Sequence, residues 1–129
     1  MPVRSLSSSV AKWPDARTVQ EKLRTWVKGV LPNRADLLRV GYFGSYARGD
    51  WGVGSDLDLL IIVRTSSQPF ERRAAEWNTM DLPVPADVLV YTEEEWQALM
   101  RRVGRFSEML RREVIWIHAE KEEAGGSDR

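Results

Sequence analysis

Residues 44–63 read Gly44-Ser45-Tyr46-Ala47-Arg48-Gly49-Asp50-Trp51-Gly52-Val53-Gly54-Ser55-Asp56-Leu57-Asp58-Leu59-Leu60-Ile61-Ile62-Val63. The two ends of this stretch ask for different backbones. The first eleven residues hold four glycines, Gly44, Gly49, Gly52 and Gly54, so the chain must turn tightly there. From Leu57 onward it is aliphatic and β-branched, with no polar residue after Asp58. A run of that kind reads as a strand covered on both faces. Asp56 and Asp58 stand at its mouth. Side chains alternate along a strand, so both acids point to one face, roughly 6–7 Å apart at Cα, while Leu57 points to the other. Two carboxylates so placed repel each other unless a cation sits between them. An all-oxygen pair leading into a core strand points to Mg²⁺ or Mn²⁺.

Working outward, Leu37–Phe43 reads as the preceding strand. A helix is expected over Asp15–Leu31, where Val19, Leu23, Trp26, Val27 and Val30 share one face. Its start is marked either by Asp15 or by a capping box at Thr18–Glu21. On the other side, Phe70–Met80 has helical spacing, and Pro83 and Pro85 forbid its continuation. Asp87–Tyr91 is a third strand. Thr92 and the acids Glu93, Glu94 and Glu95 open another helix, with Trp96, Leu99, Met100 and Val103 as its buried stripe. Phe106–His118 is helical or mixed, since Val114–Ile117 fits a strand equally well. The polar ends set a loose arm at 1–12 and a tail at 120–129 around one domain at 13–119. Helix, strand, Gly-rich loop, strand, helix, strand, helix gives an α/β (α+β) fold, a small mixed β-sheet flanked by helices.

Composition agrees with one globular domain. The 129 residues carry 19 basic and 19 acidic side chains, are 43% hydrophobic and 29% charged, and include no cysteine. Disulfide scaffolds, cysteine nucleophiles and thiolate metal sites are excluded, and the lack of cysteine agrees with a cytoplasmic location. Zero net charge argues against coating nucleic acid by bulk electrostatics. Leu59–Val63, the longest apolar run, is too short to span a bilayer, and the first ten residues have no signal-peptide pattern. The single histidine, His118, has no second ligand near it in sequence and reads as a surface or helix-end residue. Trp26, Trp77, Trp96 and Trp116 fall on apolar stripes and read as core or interface. Trp51, in the Gly-rich loop, is either a loop anchor or a nucleotide contact.

Asp87 opens its strand as Asp58 opens the one before it. If the two strands are neighbours, three carboxylates meet, enough to hold two Mg²⁺ for in-line phosphoryl or nucleotidyl transfer. Gly44 permits the turn, Ser45 is expected to cap a short helix, and together they form a phosphate cradle to which Arg48 adds charge. An EF-hand is excluded because Asp56-Leu57-Asp58 lacks that loop's ligands and central glycine. A Walker loop is excluded because no Gly-Lys-Ser/Thr occurs.

Gly44-Ser45, ten residues, then Asp56-Leu57-Asp58 resembles the signature of the DNA polymerase β-like nucleotidyltransferase superfamily. The wider run from Gly44 through Asp50, ending in Ser55–Leu60, resembles the minimal nucleotidyltransferases, many of which are antitoxins paired with a HEPN-domain toxin. The resemblance covers about Leu37–Tyr91. It implies the polymerase β-like fold and two Mg²⁺ bound by Asp56, Asp58 and Asp87, with Asp81 as the substitute third acid. It further implies a triphosphate held by Gly44 and Ser45, with ATP or another NTP as substrate. The implied reaction is transfer of AMP to an acceptor hydroxyl on a HEPN-type partner protein. The alternatives are a non-catalytic antitoxin subunit that neutralises its partner by contact, and a nucleotidyltransferase for small molecules. A partner protein or a second copy of the chain is expected to complete the site. The basic stretch Arg101, Arg102, Arg105, Arg111 and Arg112 reads first as a solvated helix face and second as a dock for an acidic partner or RNA.

Overall fold

The computed structural model describes residues 13–120. The arm expected at 1–12, and all but the first residue of the expected tail, lie outside them. Helix α1 spans Ala16–Val30. It starts where Asp15 accepts the Thr18 N–H at 2.9 Å, so Asp15, not Thr18, is the cap, and this bond holds the Asp15 carboxyl below its ordinary pKa. After a 3₁₀ turn at Leu31–Asn33 come β1 (Leu37–Phe43), the one-turn helix α2 (Ser45–Arg48) and β2 (Leu57–Val63). A short helix α3 (Phe70–Arg73), with a 3₁₀ turn at Ala74–Glu76, leads to β3 (Ala86–Thr92). Helix α4 (Glu93–Arg101), helix α5 (Arg105–Glu113) and strand β4 (Ile115–Ala119) follow.

The four strands form one mixed sheet in the order β3-β2-β1-β4. β1 runs antiparallel to β2 and β4, whereas β2 and β3 are parallel. β2 is an inner strand, and Leu57, Leu59, Leu60, Ile61 and Ile62 expose no surface. Alternation sends them to two cores. Leu57, Leu59, Ile61 and Val63 pack with Val19, Leu23, Trp26 and Val27 of α1 and with Trp77 and Leu82. Leu60 and Ile62 pack with Phe43, Trp96, Leu99 and Leu110, beneath α4 and α5. The sheet therefore lies between two helical layers. No helix among the described residues is long and apolar enough to cross a membrane.

Four local expectations change. The helix read over Phe70–Met80 ends early: its 3₁₀ turn stops at Glu76, and Trp77 is extended. Trp77 is drawn inward instead, 6.4 Å from Trp26 between ring centroids and capped by the Arg34 guanidinium at 4.0 Å. Val103 is 93% exposed because α4 stops at Arg101 and Arg102 turns extended, before the stripe reaches it. Val114–Ile117 resolves mainly as strand, since β4 finds a free edge of β1; His118 lies in that strand and not at a helix end. Glu120, at the head of the expected tail, is still bound: its N–H donates to the Leu38 carbonyl at 2.7 Å and its carboxylate meets Arg64 at 3.2 Å.

Arg73 is the one buried cation among the described residues. Its guanidinium bonds the Glu95 carboxylate at 2.6 and 3.1 Å and the carbonyls of Gln68 and Val90. Glu95 also accepts the Thr92 N–H in a complete capping box. The Arg73 bonds, followed by the bond from Thr92, hold the Glu95 carboxyl below its ordinary pKa. A depressed folded pKa contributes stability that is full above the unfolded value and is lost as pH falls through the folded one. Glu95→Gln should therefore melt below the wild type at pH 7, and the two melting curves should converge as the pH is lowered below about 4, read by thermal unfolding across a pH series. Glu95 is partly exposed, so the gap at neutral pH should be modest.

Candidate active site

The Gly-rich stretch folds as a turn, one helical turn and a loop. Gly44 has φ 81° and ψ −154°, a region open essentially only to glycine. The Ala47 and Arg48 amides then bond back to its carbonyl at 3.0 and 2.9 Å. Gly44, not Ser45, is the residue at the cap position, and no side chain caps α2; Ser45 is instead its first residue. Gly49 closes α2 in the left-handed conformation, its N–H on the Ser45 carbonyl at 2.9 Å. The buried Tyr46 ring stacks on Trp51, with centroids 5.6 Å apart and planes 10° from parallel. Its hydroxyl donates to the Pro14 carbonyl at 2.9 Å. Trp51 is thus a loop anchor seated against the core.

The acids stand at one end of the sheet. In the parallel ladder Asp58 stands directly opposite Asp87, a Cα separation of roughly 4.8 Å. The Leu57 N–H, bonded to the Pro85 carbonyl at 2.9 Å, ties the two strand starts together. Both acids share the face of Leu60 and Leu89, toward α5. Asp56 sits one residue before β2, exposed, and Asp58 is half-buried. A β-carbon at Gly44 would collide with the Asp58 carboxylate, so the missing side chain is what lets the turn and this acid touch. Asp81 is elsewhere: with Lys22, Trp26, Arg34, Glu76 and Trp77 it lines a cleft of about 830 Å³ against α1, whose lining includes none of Asp56, Asp58 and Asp87.

Burial pushes the Asp58 carboxyl above its ordinary pKa; the charges of Asp87 and Asp56 add to this, Glu113 adds less, and Arg48 opposes it. Among the described residues no three acidic or histidine side chains converge into a preformed metal cage. The donor chemistry still fits a divalent cation: the groups are all carboxylate, and they leave on Asp58 a repulsion that a positive charge would relieve.

Glu113 belongs to this group and was not singled out by sequence reasoning. It is the last residue of α5, and its side chain is only 14% exposed. Its Oε1 accepts the Gly44 N–H at 3.2 Å and faces Arg48 Nη1 at 3.4 Å. Arg48 also bonds Asp50 at 3.1 Å. The signal available was its position: a negative charge in the last turn of a helix opposes the helix dipole. Gly41 makes the approach possible. A β-carbon there would lie within 3 Å of Val114, Ile115 and Trp116, so its absence lets the chain leaving α5 press onto β1 beside the turn.

Comparison with known proteins places this arrangement. A protein from Sulfolobus solfataricus, assigned provisionally as a nucleotidyltransferase, superposes with a TM-score of 0.53 at 24% identity, over 64% of this chain and 75% of that one. That likeness shows the fold. A toxin–antitoxin structure solved with AMP-PNP gives a TM-score of 0.47 at 13% identity, over 81% of this chain and 77% of that one, too loose to carry weight. No curated protein matches the chain. The family model for the nucleotidyltransferase domain matches residues 24–116, which takes in the Gly-rich turn, all three strand-end acids and Glu113. The chain belongs to the nucleotidyltransferase domain family.

Proposed function

We propose that this nucleotidyltransferase moves an NMP group, AMP from ATP, onto a hydroxyl of a partner protein. The observation that carries the reading is Asp58, half-buried, opposite Asp87 and against the backbone of Gly44. The Gly44-Ser45 turn and Arg48 bind and orient the triphosphate. Asp56, Asp58 and Asp87 are the residues that would hold two Mg²⁺, which when bound would stabilise charge developing on the phosphoryl oxygens. The acceptor oxygen forms a bond to the α-phosphorus as the bond to the bridging oxygen breaks, and pyrophosphate leaves. Asp87, exposed at the start of β3, takes the hydroxyl proton in this reading. The HEPN-type toxin as acceptor rests on the likeness of Gly44–Asp50 and Ser55–Leu60 to the minimal nucleotidyltransferases, and the proposed cytoplasmic setting rests on the absence of cysteine.

A second reading is an antitoxin that works by contact alone. What favours it is that the three acids are not drawn into a cage. One experiment separates the two. The chain is incubated with [α-³²P]ATP, Mg²⁺ and the protein encoded beside it, and both proteins are weighed by mass spectrometry. Gain of one AMP by the partner, lost with Asp56→Ala/Asp58→Ala, supports transfer. No added mass, with protection from the partner kept by the double variant, supports contact.

A further inference from the structure

We propose that Glu113 is a built-in occupant of the phosphate cradle, which an incoming triphosphate must displace. This rests on the nucleotide reading above. Beside Ser45, the cradle offers an anion the Gly44 N–H and the Arg48 guanidinium. Both are engaged by one carboxylate: Glu113 Oε1 takes the Gly44 N–H at 3.2 Å, and Arg48 Nη1 lies 3.4 and 3.5 Å from its two oxygens. The contact is not a loose surface pair. The Glu113 side chain is 14% exposed, against 47% for Arg48, and the chain that leaves α5 directly after it is packed against Gly41. The same carboxylate adds negative charge around Asp58. A polyphosphate arriving here competes for one donor and one cation and meets like charge until the glutamate swings away. Arg48 keeps a second partner, Asp50 at 3.1 Å, so it stays in the loop when Glu113 leaves. Glu113 is therefore a specificity-determining residue: it lowers affinity for any anion too weak to displace it, and it ties the end of α5 to occupancy of the site.

The test compares wild type with Glu113→Gln, which keeps the side-chain shape and an acceptor for Gly44 but drops the charge. Binding of the non-hydrolysable α,β-methylene ATP analogue with Mg²⁺, and of inorganic tripolyphosphate, is measured by calorimetry. The variant should bind both more tightly by about tenfold, roughly the worth of one charge-assisted hydrogen bond. In the labelling assay KM for ATP should fall by a similar factor with kcat little changed, a split that a structural prop would not produce. Glu113→Asp, which keeps the charge on a shorter arm, should lie closer to wild type. If wild type binds both probes and Glu113→Gln binds them equally or more weakly, the inference is overturned while the nucleotide reading stands. If neither protein binds either probe, the cradle is no phosphate site and both fall.

Discussion

Asp58→Asn should lower NMP transfer by roughly 10³-fold or more, the scale of losing a group that stabilises transition-state charge, while the protein melts at the same temperature or higher. The two effects have one cause. Burial and the neighbouring Asp87 and Asp56 raise the folded pKa of Asp58, the reverse of the usual carboxylate. The ionised side chain is thus harder to hold in the folded protein than in the unfolded chain. The penalty is full above the raised folded pKa and disappears as pH falls through it toward the unfolded value. An amide has no charge to desolvate. The gain in melting temperature of Asp58→Asn should therefore be largest at neutral pH and shrink on acidification. A variant that loses stability at neutral pH would show that Asp58 is held for the fold and not for chemistry.

Gly44→Ala should be the most damaging single methyl group in the site. The backbone at φ 81°, ψ −154° is strained for any residue with a β-carbon, by roughly 1–3 kcal/mol. That carbon would also overlap the Asp58 carboxylate. Relief requires either the turn to flip, which breaks the Gly44 N–H bond to Glu113, or Asp58 to leave Asp87. Either path should lower the melting temperature and reduce transfer at least about 10²-fold. Gly49→Ala makes a useful contrast. Gly49 also has positive φ, but space around it is open; the smaller left-handed penalty of roughly 1–2 kcal/mol should lower stability with far less loss of turnover. Equal losses of transfer in the two variants would mean that strain alone, and not contact with Asp58, accounts for Gly44.

Most of the architecture was legible because β2 is so apolar. Its alternation fixed which acids share a face, and the ladder from Asp58 to Asp87 answers the expectation that neighbouring strands would bring them together. Thr92 followed by Glu95 announced a helix start, and the capping box is complete. The misreadings share another origin. Val103 and the end of the Phe70–Met80 helix looked periodic, but helical periodicity carries no information about where tertiary packing stops a helix. Trp77 leaves helical geometry because a tryptophan gains more between Trp26 and Arg34 than in one more turn. Glu113 was passed over because it lies 69 residues from Gly44, a separation that no local pattern spans.

The order of the strands also governs how this domain assembles. β1 is central, and one of its neighbours, β4, comes from about seventy-five residues further along the chain. Closing so large a loop is entropically slow. Emerging from a ribosome, the β1–β2 hairpin can pair early, but the edge beside Gly41 stays unpaired until the last strand is delivered. For that interval the chain already carries its acids yet leaves an open strand edge that a chaperone or partner can cover.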